Sequence, residues 1–545
     1  MPIKIITHVP NIRIHFHGLN YLLLHITEMV AALLRVLHSG IQDSRLLPPK
    51  GNPNIELFSK VLIRAGRFTT QWVRLDFDSQ PAFGAKSFIT IPRKGHLVSR
   101  LYLVSTMPNI DTLQNTAKTV AVNSGKTFAG PYFSWTNSLG HALIQQLTLT
   151  IGGVRVEQID GRLLEVLDEF YTPLEKLNLA NTLLSRNMTN FPQFNVQNGI
   201  TTDPPTTVTP LPLWFSRGDP GVYLPVDALV ADPVKISVQF SPVSSLYVST
   251  AKLPILPNQA SVGGAGYFPI LSSPFYANDP AGNLVYGLTG DPSVGVNASI
   301  IPGVSMPPTQ FLGDTYIMAE YVYLDAPEAN RFRISDIEVP ITQHYSFDPF
   351  DTKGASRATI PLKSPNPTRN LFFYAQRYEA PFYNAPFLAT RDLSGAGTTV
   401  PWWPNALPIS TRAPGLIQPA FVFNDSEPIG SILLMYEGNL VRYSTTAPSI
   451  FRSLLPSYEM KKSPFVNRYY YSLHFGLNHG GAPASQPCGE ANLDKIINLS
   501  LQLEFKPNRG ISTTSNTPRY IIYVWTQTYN IFRVYAGRGG LLFSY

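Results

Sequence analysis

The stretch LTLTIGGVRVE, Leu147–Glu157, alternates apolar and polar residues, pauses on two glycines, and alternates again. Leu147, Leu149 and Ile151 fall on one face with threonines on the other, which is the period of a half-buried strand. Gly152-Gly153 supplies the two positive-φ positions that a two-residue hairpin turn demands, and Val154 and Val156 start the return strand. The segment is therefore read as a β-hairpin. Directly after it, GRLLEVLDEFY (Gly161–Tyr171) changes period. Leu163, Val166, Leu167 and Phe170 share one face of a helix that must stop before Pro173.

Working outward, the strand period recurs. In INLSLQLEF, Ile497, Leu499, Leu501, Leu503 and Phe505 fall on one face, and Asn498, Ser500, Gln502 and Glu504 on the other. KISVQF (Lys235–Phe240) and YIIYVWTQTYNIF (Tyr520–Phe532) are further strands. Short apolar runs punctuated throughout by 49 prolines and 38 glycines mark an all-β sandwich architecture. Two stretches break the pattern and are read as loops: Thr250–Gln310, rich in Pro, Gly, Ser and Asn, and Asn195–Pro210 with its Thr-Pro run. At 545 residues the chain is long enough for two to four domains, and two sandwiches in tandem fit it. Near the start, NYLLLHITEMVAALLRVL (Asn20–Leu37) contains His25, Glu28 and Arg35. Those groups disfavour a membrane span, so Met29–Leu37 is expected to be a packed or amphipathic helix.

Charged residues make up 14% of the chain, against about 25% in ordinary soluble domains. With 44% hydrophobic residues, that deficit implies surface buried against neighbours. The net charge of +7 is scattered, its densest spots being Arg93-Lys94 and Lys461-Lys462. No basic stripe for nucleic acid is present, and these residues read as solvated surface. A single cysteine, Cys488, excludes an intrachain disulfide and favours a reducing compartment.

No catalytic constellation emerges, and no cofactor or metal is expected. Phosphate-loop, nucleophile-elbow, HExxH and CxxC patterns are missing. His15 and His17 would share a strand face but have no third ligand nearby. AGRGGLL (Ala536–Leu542) reads as a turn after a strand, and Asp168-Glu169 as the solvated side of a helix. Sequons occur at Asn187, Asn297, Asn424 and Asn498, the last expected inside a strand and thus a poor acceptor. Arg217-Gly218-Asp219 spells a cell-attachment triplet. Its flanks, Leu211, Leu213, Trp214 and Phe215 before and Val222, Tyr223 and Leu224 after, are core-forming, so the triplet is read as a turn between buried segments.

Seven segments, in order, resemble the major capsid proteins of nucleocytoplasmic large DNA viruses of the iridovirus, phycodnavirus and marseillevirus type. They include MVAALLRVLHSGIQDSRLLPPKGNPNIELFSKVLIR (Met29–Arg64) and IPRKGHLVSRLYLVSTMP (Ile91–Pro108), in which His96 stands where the family has an acid. LTLTIGGVRVEQIDGRLLEVLDEFYTP and LPLWFSRGDPGVYLPVDAL come next, the Arg217-Gly218-Asp219 triplet occupying the family's variable turn. YIMAEYVYLDAPEANRFR (Tyr316–Arg333) is similar to the link between the two halves. In the segment ending at Phe505, Gln486-Pro487, Gly489, Asn492 and Ile496 match, which puts Cys488 in a turn. YNIFRVYAGRGGLLFSY resembles the family's ending. Met1–Glu28 and the loop near Thr250–Gln310 have no counterpart.

The resemblance implies an all-β double jelly roll: an N-terminal extension with a short helix at 1–51, a first jelly roll at 52–323 containing the 250–310 loop, and a second at 333–545. It implies a structural, non-enzymatic chain that forms homotrimers with a pseudo-hexagonal outline, which tile an icosahedral shell. Expected partners are neighbouring capsomers, minor capsid and penton proteins, and an inner membrane touched by the N-terminal helix, without direct contact to nucleic acid. The expected location is the virion capsid, assembled in the host cytoplasm. A minor capsid or vertex protein, or a receptor-binding virion protein using an exposed loop, is the alternative; a carbohydrate-active sandwich enzyme would need a carboxylate pair that the sequence does not display.

Overall fold

The computed structural model describes residues 67–108, 133–173, 183–186, 206–249, 311–378, 380, 386–391, 427–438, 440–464, 468–476, 488–507 and 517–543. The 1–51 extension with the Met29–Leu37 helix, His15, His17, Asn187, Asn297, Asn424 and the Thr250–Gln310 loop lie outside them.

Eight strands build a first sandwich: β1 (Phe68–Asp76), β2 (Lys86–Thr90), β3 (Leu97–Thr106), β4 (Ile144–Ile151), β5 (Val154–Asp160), β6 (Thr206–Pro210), β7 (Val234–Phe240) and β8 (Thr315–Leu324). One sheet has the order β1-β8-β3-β6 and the other β2-β7-β4-β5, with every pair antiparallel. The pairs β1·β8, β2·β7, β3·β6 and β4·β5 are nested, so the chain runs as one long hairpin. The additional pairs β3·β8 and β4·β7 roll that hairpin on itself, which is a jelly roll.

The second sandwich repeats this with each number raised by eight: β9 (Ile337–Ser346), β10 (Arg357–Pro361), β11 (Thr368–Arg377), β12 (Ile429–Tyr436), β13 (Leu440–Thr445), β14 (Tyr471–His474), β15 (Ser500–Phe505) and β16 (Tyr520–Tyr535). Its sheets are β9-β16-β11-β14 and β10-β15-β12-β13. Short strands at Phe350–Asp351 and Arg538–Leu541 add to β16, and Phe133–Trp135 pairs with Tyr247–Ser249.

Period 2 places the cores. In β8, Ile317, Ala319 and Tyr321 are fully buried while Tyr316, Met318 and Glu320 face out. In β15, Leu501, Leu503 and Phe505 point inward. The Gly152-Gly153 turn has φ of 58° and 85°, the mirror-image turn its sequence predicts. Ala536-Gly537 likewise makes a positive-φ turn before the last short strand.

Two expectations need correction. Thr206–Pro210 is a strand paired with β3, not part of a loop. Its inward residues are Thr207 and Thr209, so the apolar alternation that marks a strand is missing although the β-branched residues suit one. The strand expected from Ile497 starts at Ser500. Asn498 turns the chain at φ 53°, a conformation asparagine tolerates, and is exposed beside an exposed Ile497. The sequon at Asn498 therefore lies in a turn and not in a strand.

Three helices matter for the seam between the sandwiches. The short α1 (Leu139–Leu143) precedes β4. The helix α2 (Gly161–Tyr171) follows β5 and ends before Pro173, as its pattern requires. Asp160 caps α2 by accepting from the Leu163 N–H at 2.6 Å. The third, α3 (Ala326–Ile334), joins β8 to β9 under an Asp325 cap.

Candidate functional site at the seam between the sandwiches

The outer face of β9-β16-β11-β14 is strongly aromatic. Phe372 and Tyr374 on β11 and Tyr523 and Trp525 on β16 point away from their own core, and Tyr374 stacks on Tyr523 at 5.3 Å. On an isolated sandwich that face would meet water. Here β5 and α2 of the first sandwich lie on it. Phe170 meets Phe372 at 5.6 Å, Arg162 lies 4.5 Å over the Tyr523 ring, and the Trp525 indole N–H donates to Asp160 at 3.0 Å. Beside them Trp214, fully buried, meets Phe532 at 5.1 Å. Burial of large aromatic surfaces provides the adhesion. Asp160 thus caps its own helix and holds the neighbouring sandwich with one carboxylate.

A charged cluster sits behind this apolar contact. Glu165, Asp168 and Glu169, at helical spacings of three and four, share a side of α2. The Glu165 carboxylate accepts from Ser138 Oγ at 3.0 Å, from Arg186 Nη2 at 2.7 Å, and from Arg468 Nη1, and lies 2.6 Å from His141 Nδ1. Arg186 also bonds Asp168. Glu169 lies 3.2 Å from Arg468 Nε and 3.6 Å from Lys462 Nζ. Three carboxylates thus face three cations with almost no solvent exposure: the side chains of Glu165 and Arg468 are 0% and 1% exposed. Burial alone would raise the Glu165 carboxyl; Arg186 and Arg468 overcome it and hold it well below the usual carboxylate range. A buried charge of either sign without its partner would be costly, so the sandwiches have one polar register in which every charge is matched.

This corrects two readings. Asp168-Glu169 is not a solvated helix face, and Lys462 is not solvated surface; both are covered where the two sandwiches meet. Nothing in the local pattern signals it, because Arg468 lies 303 residues from Glu165.

A second cluster surrounds Arg217. The 3-10 turns Trp214–Ser216 and Pro220–Val222 bracket the Arg217-Gly218-Asp219 triplet, with Gly218 at φ 92°. The Arg217 guanidinium points into the seam. It donates to the Thr342 carbonyl at 2.9 Å, to Thr342 Oγ1 at 2.6 Å and to the Pro212 carbonyl at 2.9 Å, and bonds Glu157. His344 Nδ1, on β9, lies 3.0 Å from Arg217 and 3.2 Å from Glu157. Glu157 also accepts from the Trp214 N–H at 2.8 Å. Next to it, Gln343 donates to the Val156 carbonyl and accepts from Asn530 at 2.8 Å. Burial, reinforced by the Arg217 charge, lowers the His344 imidazole to about 4 against the pull of Glu157.

Asp219, by contrast, accepts from the Gly221 N–H at 3.0 Å within its own turn. The triplet is the turn between buried segments that its flanks predict, with its arginine tying the first sandwich to the second. Arg217→Ala is expected to lower stability by about 2 kcal/mol or more, because it takes away the cation against which Glu157 is buried, whereas Asp219→Ala removes a hydrogen bond within an exposed turn, at about 0.5–1 kcal/mol. Urea denaturation of both variants checks this; equal losses would refute the inward role of Arg217.

Cys488 is half-buried with Sγ 3.9 Å from the Tyr529 hydroxyl. Among the described residues no group of His, Cys, Asp and Glu is arranged to hold a metal ion, and no helix is long and apolar enough to cross a membrane.

Comparison with known proteins gives two family matches. The profile described as "Major capsid protein N-terminus" matches residues 56–273, and "Large eukaryotic DNA virus major capsid protein" matches residues 330–540. The chain is similar to "Probable capsid protein 4" of Acanthamoeba polyphaga mimivirus, 26% identical over 221 residues, a match spanning 40% of this chain and only 39% of that protein. It is similar to the major capsid protein of Pyramimonas orientalis virus, 23% identical over 530 residues, covering 95% of this chain and 100% of that one. Among solved structures it is similar to the PBCV-1 virus capsid at a TM-score of 0.60 and 18% identity, covering 90% and 100% of the two chains. That likeness agrees with the strand order in showing a double jelly roll.

Proposed function

Because the chain belongs to the family of large eukaryotic DNA virus major capsid proteins, we propose that three copies assemble into a pseudo-hexagonal capsomer and that such capsomers tile the facets of an icosahedral shell. One observation carries this: two sandwiches of identical strand order follow each other in one chain and are held at a fixed angle by a buried, charge-matched seam. A chain that is two similar lobes yields six in a trimer, and a six-lobed tile packs flat. A hinge between the lobes would blur that outline. The Glu165 and Arg217 clusters oppose it, since any rotation pulls buried charges from their partners.

Function here is assembly through buried surface. The low charge content is consistent with extensive interfaces. On this reading residues 52–323 and 333–545 are the two lobes and 1–51 an extension on the inner side, where Met29–Leu37 meets an inner membrane or minor capsid proteins. Penton proteins and neighbouring capsomers are the remaining contacts, within a virion assembled in the host cytoplasm. The inward turn of Arg217 speaks against receptor binding through its triplet.

Light scattering coupled to size exclusion tests the capsomer. The expected species has three times the 60.4 kDa chain mass and a six-lobed outline by negative stain. A stable monomer at micromolar concentration would overturn the reading.

A further inference from the structure

The chain passes from the first sandwich to the second through α3. Arg333 on α3 bonds Asp227 of the first sandwich at 2.6 Å, so the helix is tied to that side. Ser335 and Asp336, both exposed, separate its end from β9. Exposed residues at the end of an element are where a rigid-body rotation of two domains is absorbed. The Arg217 cluster opposes that rotation, and one of its members is a histidine, the side chain whose charge changes most readily near neutral pH.

The geometry fixes the state of that ring in the closed seam. A guanidinium only donates, so His344 Nδ1, 3.0 Å from Arg217 Nη2, must accept, and the ring is neutral. Protonation at Nδ1 sets two donors against each other. A protonated ring still has Glu157 at 3.2 Å, which offsets part of that loss. On β16 the residue opposite His344 is the uncharged Gln527. Gln527 in turn meets the Tyr171 hydroxyl of α2 at 3.4 Å, a phenol that burial holds in its neutral form. The charges acting on the ring are therefore those of Arg217 and Glu157. The closed seam excludes a proton that the ring accepts once it reaches water.

We infer that the seam is an acid-released latch: proton uptake by His344 lets the two sandwiches swing apart about Ser335-Asp336 with each sandwich still folded. The seam is made of outer faces, so the inward residues of both cores, such as Ile317 and Leu503, stay covered when it opens. A shell of such chains is rigid at neutral pH and loosens in an acidic compartment. The imidazole is lowered to about 4 when the seam is closed, against 6.5 in water. Open states therefore gain on closed ones as the pH falls from 6.5 towards 4, and gain nothing more below. The open population rises about 3-fold from pH 7 to 6 and about 20-fold from pH 7 to 5.

The Trp525 indole N–H, which donates to Asp160 across the seam at 3.0 Å, reports the opening directly. The full chain, 15N-labelled at tryptophan, is transferred to deuterated buffer, and the Trp525 signal, assigned with Trp525→Phe, is followed at pH 7, 6 and 5. Its protection, corrected for the intrinsic exchange rate, is expected to fall by those two factors. At every pH it is expected to be lower than the protection of the β15 amides, followed by mass spectrometry on the same samples. In His344→Gln the fall is expected to stay under about 2-fold. Protection of Trp525 equal to that of the β15 amides would overturn the latch, since the seam would then open only when the chain unfolds. An equal fall in His344→Gln would also overturn it and assign the effect to Asp160, whose carboxyl is raised by burial. A wild type that shows no fall between pH 7 and 5 overturns it without recourse to any variant.

Discussion

Glu165→Ala is expected to lower the unfolding free energy by about 3–5 kcal/mol, the usual loss when one member of a buried ionic network is removed. The carboxylate is the hub of its cluster. It accepts from Ser138 and Arg186, bonds Arg468 from the second sandwich, and contacts His141. Alanine would leave the guanidinium groups of Arg186 and Arg468 facing each other in a site with almost no solvent access. The comparison is Arg357→Ala, which breaks an ion pair with Glu504 whose side chains are 65% and 45% exposed. Solvent and salt already screen that pair, so its loss is expected to stay within about 1 kcal/mol. The shift in urea midpoint for the two variants provides the measurement. If Glu165→Ala proves no worse than Arg357→Ala, the seam is not held in the way its geometry indicates.

Acidification is expected to weaken the seam well before the carboxylates titrate. The His344 imidazole is lowered to about 4 in the folded chain, from 6.5 when unfolded. The unfolded state therefore takes up a proton first as the pH falls. Stability from this site is fully present above about pH 6.5, declines between 6.5 and 4, and changes no further below. One proton over that interval corresponds to about 3 kcal/mol. The sign reflects the surroundings of the ring: burial disfavours a charge, and the Arg217 guanidinium opposes a second cation, while Glu157 only partly compensates. Below about pH 4.5 the Glu165 cluster adds its own loss, because its folded carboxyl is held low while the unfolded one protonates. Urea midpoints measured at pH 7, 6 and 5 are expected to fall more steeply for the wild type than for His344→Gln, which retains a hydrogen-bonding side chain without a titrating group. Parallel slopes would dismiss His344 as the source.

Much of the fold could be read from single segments, because the physics there is local. Alternation at period 2 identified β4, β7, β15 and β16, since one side of each meets a core whatever the core contains. Gly152-Gly153 defined a hairpin because few other residues accept two successive positive φ angles. The extent of α2 followed from its helical period and Pro173. Where local signals were weak, reading stopped short. Thr207 and Thr209 are inward threonines in a strand that resembles a loop by composition, and Asn498 ends a run that alternation alone would have extended.

The sequence by itself determined the strand periods, the hairpin turn, the helix after it and, through ordered family resemblance, the double jelly roll. Only the tertiary structure decided which charged residues are buried. On its own, a helix with Leu163, Val166 and Phe170 on one side and Glu165, Asp168 and Glu169 on another looks amphipathic. Its acidic side is buried as well because Arg468 and Lys462, some 300 residues later, return to cover Glu165 and Glu169. The same holds for Arg217, whose partners Thr342 and His344 lie 125 and 127 residues away on the other sandwich. A charge tolerates burial only where a partner of opposite sign arrives in three dimensions, and the placement of that partner is a property of the closed fold and not of any stretch of chain.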